Sequence, residues 1–447
     1  MTTGKTATSA KKKFPSRRFI IFAPSAPAVP RKWALSFARP FVTTATSVLP
    51  ATEVPIVKKQ KPLRASNFFT LLFLSLAVAA GIGTAARAGT FAAGKNDLLK
   101  DGQPFFVRGV VYVPFLPGML PWELADRKQI PEELQSKILK DLKDIKAMGA
   151  NTVRFWDAPR FAYQALKEAG GLALIQTVWF DVKQNDLQDE AFKKKCKGAI
   201  SKTIDRVYSV YSPENPPPLL ALIVGSELTP ASIENTNELH PEMNAYQGKY
   251  ISAPKGSKAA ECFLAEMADF AKTYEASRYG RTSLVSYANE IRTNQLIDTP
   301  FLDFRSFNVY SYAILDYESP QKGSSTGTIF QGWIEELKRR YPDKPLLITE
   351  TGLSDSPGAG RMGPPDYGYG GNTEEDQAAG LVQNWKDVTM ASPPLAGMVI
   401  HEYLDAWWKF GREDSRTQDS DDVEEWFGIA GREAYKRLQA LWAKAST

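Results

Sequence analysis

From residue 96 onward the chain alternates short apolar runs with longer segments of helical periodicity, and that alternation narrows the possible folds sharply. The apolar runs are FFVRGVVY (Phe105–Tyr112), NTVRFW (Asn151–Trp156), LALIQTVWF (Leu172–Phe180) and LLALIVGSE (Leu219–Glu227). After them come SLVSYAN (Ser283–Asn289), LDFRSFNVY (Leu302–Tyr310), LLITE (Leu346–Glu350) and LAGMVIHEY (Leu395–Tyr403). Several are continuously apolar, as parallel strands covered on both faces must be. Helical periodicity fills most gaps: Pro131–Met148, Arg160–Gly171, Asp189–Tyr211, Ala259–Tyr279, Thr328–Tyr341, Thr373–Met390 and Arg432–Ala445. Only a short helical turn separates the fifth run from the sixth. Eight β/α units over about 350 residues predict an α/β fold, a closed (β/α)8 TIM barrel with long loops. The runner-up is an open doubly wound sheet. Against it, no G-x-G-x-x-G follows the first strand, and the chain has no P-loop. No internal repeat or second linker appears, so residues 96–447 read as one domain.

The residues ahead of the barrel are of another kind. Residues 1–67 hold thirteen Lys/Arg and one acidic residue, Glu53, about +12, whereas the whole chain carries +5. The remainder is therefore about −7, and nothing in it reads as a nucleic-acid surface. Rich in Ser, Thr, Ala, Pro, Lys and Arg, without periodicity, 1–67 reads as a disordered basic leader. Nineteen uncharged residues follow, FFTLLFLSLAVAAGIGTAA (Phe68–Ala86), long enough to span a bilayer. Lys58, Lys59, Lys61 and Arg64 precede it and only Arg87 follows closely, which puts the N-terminus in the cytoplasm and the barrel on the far side. Residues 68–88 thus read as a membrane anchor or as a signal segment cut after Ala86-Arg87-Ala88. Either way the globular part is exported.

Composition also excludes chemistry. With two Cys (Cys196, Cys262) and two His (His240, His401), a disulfide framework, a zinc site or a multi-histidine metal centre lacks parts. One Cys196–Cys262 bridge is open in an oxidising compartment; two buried thiols are the simpler reading. No metal or cofactor motif is present.

In a TIM barrel the active site lies where strands end and βα loops begin. The strand ends here are rich in polar and aromatic residues: Tyr112, Arg154 to Asp157, Trp179, Ser226-Glu227, Asn289, Asn308 to Tyr310, Glu350, and His401-Glu402-Tyr403. A carboxylate closing a buried strand is costly unless paired or used. Glu227 closes strand four and Glu350 strand seven, which face each other across a barrel mouth. Two converging carboxylates with aromatic platforms and no cofactor suit glycosidic bond cleavage, one attacking the sugar carbon and the other protonating the leaving oxygen. Arg154 is suited to keep the nucleophile ionised. Trp156, Trp179, Tyr403 and Trp407 are candidate sugar platforms or core. Tyr310 and Glu402 are candidate hydrogen-bonding or ion-pairing groups, and His401 and His240 read as structural. The bland alternative for Glu350 is a rim carboxylate paired with Arg154; for Glu227 it is a solvated loop residue. The loop PPDYGYGGNTEED (Pro364–Asp376) reads as a cleft wall or a plain surface loop.

These residues resemble a known group. NTVRFWD, VGSE, ITETG and HEYLDAWWKFG with EEWFGI, in that order, are similar to motifs of the clan A glycoside hydrolases, retaining enzymes on (β/α)8 barrels. The closest look is to family 2 TIM-barrel domains and family 17-like bacterial proteins, over roughly residues 100–445. The resemblance implies Glu227 as acid/base, Glu350 as nucleophile with carboxyl groups about 5–5.5 Å apart, and no cofactor. It also implies sugar contacts from Arg154, Trp156, Trp179, Ser226, Asn289, Tyr310, Glu402, Tyr403 and Trp407. The clan usually has Asn where this chain has Ser226, at the contact to the sugar 2-hydroxyl. The expected activity is a retaining β-glycosidase or transglycosidase on a β-glucan or related exopolysaccharide. The alternative of another class is a catalytically silent barrel that binds polysaccharide during export or assembly.

Overall fold

The computed structural model describes residues 89–444, apart from 292, 294–295, 311–319, 321, 358–366, 368–369 and 410–414. The basic leader, the apolar segment 68–86 and residues 364–366 and 368–369 of the Gly/Tyr-rich loop lie outside the described residues. Among those described, no helix is long and apolar enough to cross a membrane.

Eight parallel strands form a closed barrel, labelled here β1 (Val107–Tyr112), β2 (Thr152–Phe155), β3 (Ala173–Val178), β4 (Leu219–Ser226), β5 (Leu284–Glu290), β6 (Arg305–Asn308), β7 (Leu346–Thr351) and β8 (Gly397–Ile400). Each pairs with its sequence neighbours, and β8 closes on β1 through Gly397 to Val107 and Ile400 to Val110. The expected open-sheet runner-up is thereby excluded. Observed strands are shorter than the apolar runs, most of all β6 and β8, because hydrophobicity continues into packed loop residues such as Phe304 and Tyr403.

The period of two sorts the side chains. Val111, Arg154, Ile175, Ile223, Ala288, Leu347 and Val399 point inward, while Val110, Val153, Leu174, Val224, Ile348 and Met398 point outward against the helices. The helices arise where the apolar periodicity ends in capping residues. Thr373 caps Glu374–Met390 in a reciprocal box with Asp376, and Asp189 accepts from the Phe192 amide at the start of Glu190–Tyr208. Several elements escaped the sequence reading, three of them around the barrel ends. A three-stranded antiparallel sheet (Phe91–Ala93, Leu98–Lys100, Gln103–Pro104) packs Leu98, Phe91 and Phe105 under the barrel interior at its N-terminal end. Helix Pro230–Leu239 occupies the loop after β4, and a short helix, Pro121–Ala125, the loop after β1. The strands of the first are too short, and the helices too polar or too short, to show a periodicity. Cys196 and Cys262 are buried free thiols, so the bridge is not formed.

Candidate active site

The two strands that carry Glu227 and Glu350 share an irregularity. Between β4 and β5 the register runs Ile223 to Ser286 and then Ser226 to Ala288, with an extra residue on β4. Between β6 and β7 it runs Phe307 to Ile348 and then Asn308 to Glu350, with an extra residue on β7. Strict alternation from Leu347 would send Glu350 outward. The inserted residue turns both Thr349 and Glu350 toward the barrel axis, the usual use of a bulge at a barrel rim. On β4 the extra residue is accommodated by Gly225 at φ +80°, followed by Glu227 at φ +51°. A non-glycine residue in the left-handed region is uncommon and clusters at functional sites. A Cβ on Gly225 would sit 2.9 Å from Phe180 Cδ2. Gly225→Ala is therefore expected to cost about 1–3 kcal/mol, measurable by urea denaturation; a loss under about 0.5 kcal/mol would contradict this account of the bulge.

Glu350 is 4% exposed and Arg154 fully buried. Arg154 Nη1 donates to Glu350 Oε1 at 2.8 Å and to the Thr349 carbonyl at 2.8 Å, while Nε donates to Thr177 Oγ1 at 2.9 Å. The Tyr310 hydroxyl donates to the other carboxylate oxygen, Oε2, at 3.0 Å. Asn308 Nδ2 donates to Glu227 Oε1 at 2.9 Å, and Asn308 Oδ1 accepts from Thr349 Oγ1 at 2.9 Å. One amide thus connects Glu227 on β4 to the strand that carries Glu350. Burial pushes the Glu350 carboxyl up to about 7; Arg154 opposes this, the charge of Glu227 adds to it, and Tyr310 and Lys409 oppose it further.

Trp156 and Trp179 meet edge-to-face at 5.1 Å above the interior core, and Trp156 stacks on His401 at 5.2 Å. Glu402 is buried and accepts from Lys409 Nζ at 2.9 Å; burial lifts its carboxyl to about 7, against Lys409. Ser226 Oγ, Trp156 Nε1 and Arg154 Nη2 are buried with no hydrogen-bond partner among the described residues. Buried donors of that kind normally find a partner.

Three predicted residues are placed elsewhere. Asn289 falls on the outward phase of β5 and its amide is tied to its own loop, accepting from Thr293 Oγ1 and donating to the Ile297 carbonyl at 3.4 Å. Tyr403 lies past the end of β8, its ring on Tyr112 at 5.9 Å in the outer core, so it is not at the mouth. Trp407 also packs in the outer core; its neighbour Trp408 is the one beside the interior cluster. Sequence reasoning placed Asn308 at a strand end without giving it a role, and missed Thr177, Thr349, Trp408 and Lys409. For Asn308 the signal was available, since it stands on the inward phase of β6 beside Ser306. For Lys409 it was not, because a lysine in a loop gives no sign of burial.

No protein-family model and no curated protein matches the chain. Solved structures do. A family 2 β-galacturonidase from Eisenbergiella tayi bound to galacturonate is similar at a TM-score of 0.52 and 17% identity, over 80% of this chain and 54% of that one. A β-glucuronidase from Ruminococcus gnavus is similar at 0.55 and 16% identity, over 79% and 53%. The chain spans about half the length of these proteins. At such identities the likeness is one of fold, and what this chain shares with these glycosidases is the eight-stranded barrel itself.

Proposed function

We propose that the barrel is a retaining β-glycosidase or transglycosidase, with Glu350 forming a covalent glycosyl-enzyme and Glu227 serving first as acid and then as base. The observation that carries this reading is the pair itself: Glu350, gripped on one oxygen by Arg154 and on the other by Tyr310, opposite Glu227, which Asn308 holds in a left-handed backbone position. In the first step a Glu350 oxygen attacks the anomeric carbon as the glycosidic bond breaks, and the Glu227 proton goes to the leaving oxygen. In the second, Glu227 takes a proton from water or a sugar hydroxyl, which attacks the same carbon and frees Glu350. Arg154 stabilises the carboxylate that leaves in that step.

The substrate class follows from charge. The buried cations at the mouth, Arg154 and Lys409, are already paired with Glu350, Glu402 and Glu424. Both cations thus already face carboxylates of the protein, and a uronate would add a further carboxylate beside Glu350 and Glu402, which favours a neutral sugar. A β-glucan or related neutral polysaccharide is accordingly the proposed substrate, unlike the acidic sugars named for the two neighbours. Incubating residues 89–447 with β-linked glucose oligosaccharides and with β-glucuronides, and reading products by mass, tests both points. Shortened or transferred glucosides support the reading; cleavage of glucuronides alone would overturn the substrate class.

The proposed nucleophile must be ionised in the free enzyme. With Glu350 at about 7, kcat/KM is expected to fall as pH drops below about 7, tenfold per unit. An acid limb at pH 4.5 or lower would contradict this electrostatic account. For placement we propose that residues 68–86 anchor or export the domain, with the basic residues before them left in the cytoplasm. Protection of the barrel from protease in intact cells, with the leader retained or removed, distinguishes the cytoplasmic from the exported arrangement.

A further inference from the structure

Lys409 takes no part in the steps just described, yet it is only 5% exposed and sits at the centre of a polar cluster. Its ammonium lies 2.9 Å from Glu402 Oε1, 3.5 Å from Glu424 Oε2 and 2.9 Å from His401 Nε2. The rings of Trp156, Trp408 and Phe427 stand around it at 5.3, 5.8 and 6.0 Å. Burial draws its pKa down, but Glu402, Glu424 and Glu350 raise it by more, so the group stays charged. An ammonium has donors and no acceptor. His401 Nε2 faces two groups, the Lys409 ammonium at 2.9 Å and Glu402 Oε1 at 3.4 Å; the shorter contact is satisfied when Nε2 is the unprotonated, accepting nitrogen and Lys409 donates to both it and Glu402.

The single proton of a neutral imidazole is then on Nδ1. A second proton would bring two cations within 2.9 Å in a dry interior, which is strongly unfavourable. Burial first, and then the charges of Lys409 and Arg154, push His401 well below its ordinary range. Nδ1 is buried and has no partner among the described residues. The ring stacks on Trp156 at 5.2 Å and meets the edges of Phe427 and Tyr310 at 5.2 and 6.3 Å. Tyr310 is the residue that holds Glu350 Oε2. The imidazole that carries the unpartnered donor thus stands one ring away from the proposed nucleophile.

We propose that His401, locked by Lys409 as the neutral tautomer with its proton on Nδ1, donates a hydrogen bond to a ring hydroxyl of the sugar attacked by Glu350 and is a specificity-determining residue of that subsite. The sugar contact rests on the glycosidase reading; the locked tautomer does not. A site built to bond a hydroxyl rejects the analogue that lacks it, because its own donor is then left unpaired. Lys409 is a positioning residue acting through the imidazole.

Two measurements test this. The chain has only two His, so ¹⁵N-histidine labelling gives two ring systems, assigned with a His240→Asn variant. His401 is expected to keep the Nδ1–H tautomer from pH 5 to 8, and Lys409→Met to release it to titrate. An Nε2–H tautomer, or an imidazolium in that range, in the unaltered protein overturns the lock. For the contact, an aryl β-glucoside and its monodeoxy analogues are compared on wild type and His401→Phe, which keeps a ring against Trp156. The variant is expected to lose at least tenfold in kcat/KM, and one deoxy position to cost wild type tenfold but the variant little. Retention within twofold, or equal losses at every deoxy position in both proteins, overturns the contact. Failure of wild type to turn over any β-glycoside sinks the glycosidase reading and the contact with it, while the tautomer result stands on its own.

Discussion

Glu350→Gln is expected to lower kcat on an aryl β-glucoside by on the order of 10⁴–10⁶-fold, the range seen when a member of a covalent catalytic unit is removed. The substitution keeps the shape and the Tyr310 hydrogen bond but removes the charge that attacks the anomeric carbon. It also leaves Arg154 buried without its counterion, so folding must be checked alongside by circular dichroism and thermal melting. A chemical rescue separates the two effects. With azide supplied to Glu350→Ala, the anion enters from the face that Glu350 occupied and gives the α-glycosyl azide. With Glu227→Ala, azide attacks the glycosyl-enzyme instead and gives the β-anomer. A residual rate within tenfold of wild type for Glu350→Gln, or the opposite assignment of anomers, would contradict the roles given to the two carboxylates.

The second large effect is expected from Arg154→Met. Arg154 is buried, and three of its hydrogen bonds converge on Thr177, Thr349 and Glu350 from the inward phase of β2. Breaking a buried pair by removing one partner costs about 3–5 kcal/mol when the remaining group stays charged. Glu350 can escape part of that cost by keeping its proton. Its folded pKa, already about 7, rises further once the cation is gone. Because it lies above the unfolded value, the folded state holds more protons than the unfolded state between the two, and stability falls as pH rises across that window. The destabilisation of Arg154→Met should therefore be smaller at pH 5 and grow toward pH 8. The acid limb of kcat/KM should move above pH 7, with a loss at pH 7 of about fivefold for the first unit of displacement and about tenfold for each further unit. Unfolding midpoints and rate profiles over pH 5–9 check both trends. A pH-independent stability loss with an unmoved limb would mean that Arg154 is a structural cation only.

How far these features were legible depends on their range. The barrel was readable because eight apolar runs separated by helical segments leave few alternatives, and each is a local signal. Glu350 and Glu227 were visible as carboxylates at the ends of buried strands, where a charge needs a reason. What could not be seen was the register. Strict alternation from Leu347 places Glu350 on the wrong face, and only the inserted residue opposite Asn308 corrects this. The same phase rule, applied to β5, removes Asn289 from the mouth. Of the two readings open for Tyr403 and Trp407, platform or core, the structure shows them packed in the outer core, because the chain leaves β8 after Ile400, and no local pattern tells which aromatics of a loop turn back under the helices. Lys409 was hidden for a similar reason: its burial depends on Glu402 and Glu424 being brought to it.

The central claim is that Glu350 becomes covalently attached to the sugar. Incubation with 2-deoxy-2-fluoro-β-glucosyl fluoride slows both steps and, with its good leaving group, lets the glycosyl-enzyme accumulate. Intact mass followed by peptide mapping should then show one fluoroglucosyl group, on the peptide containing Leu346 to Ser354 and on Glu350 within it. Turnover of β-glucosides without any covalent adduct, or an adduct on another residue, would contradict the account.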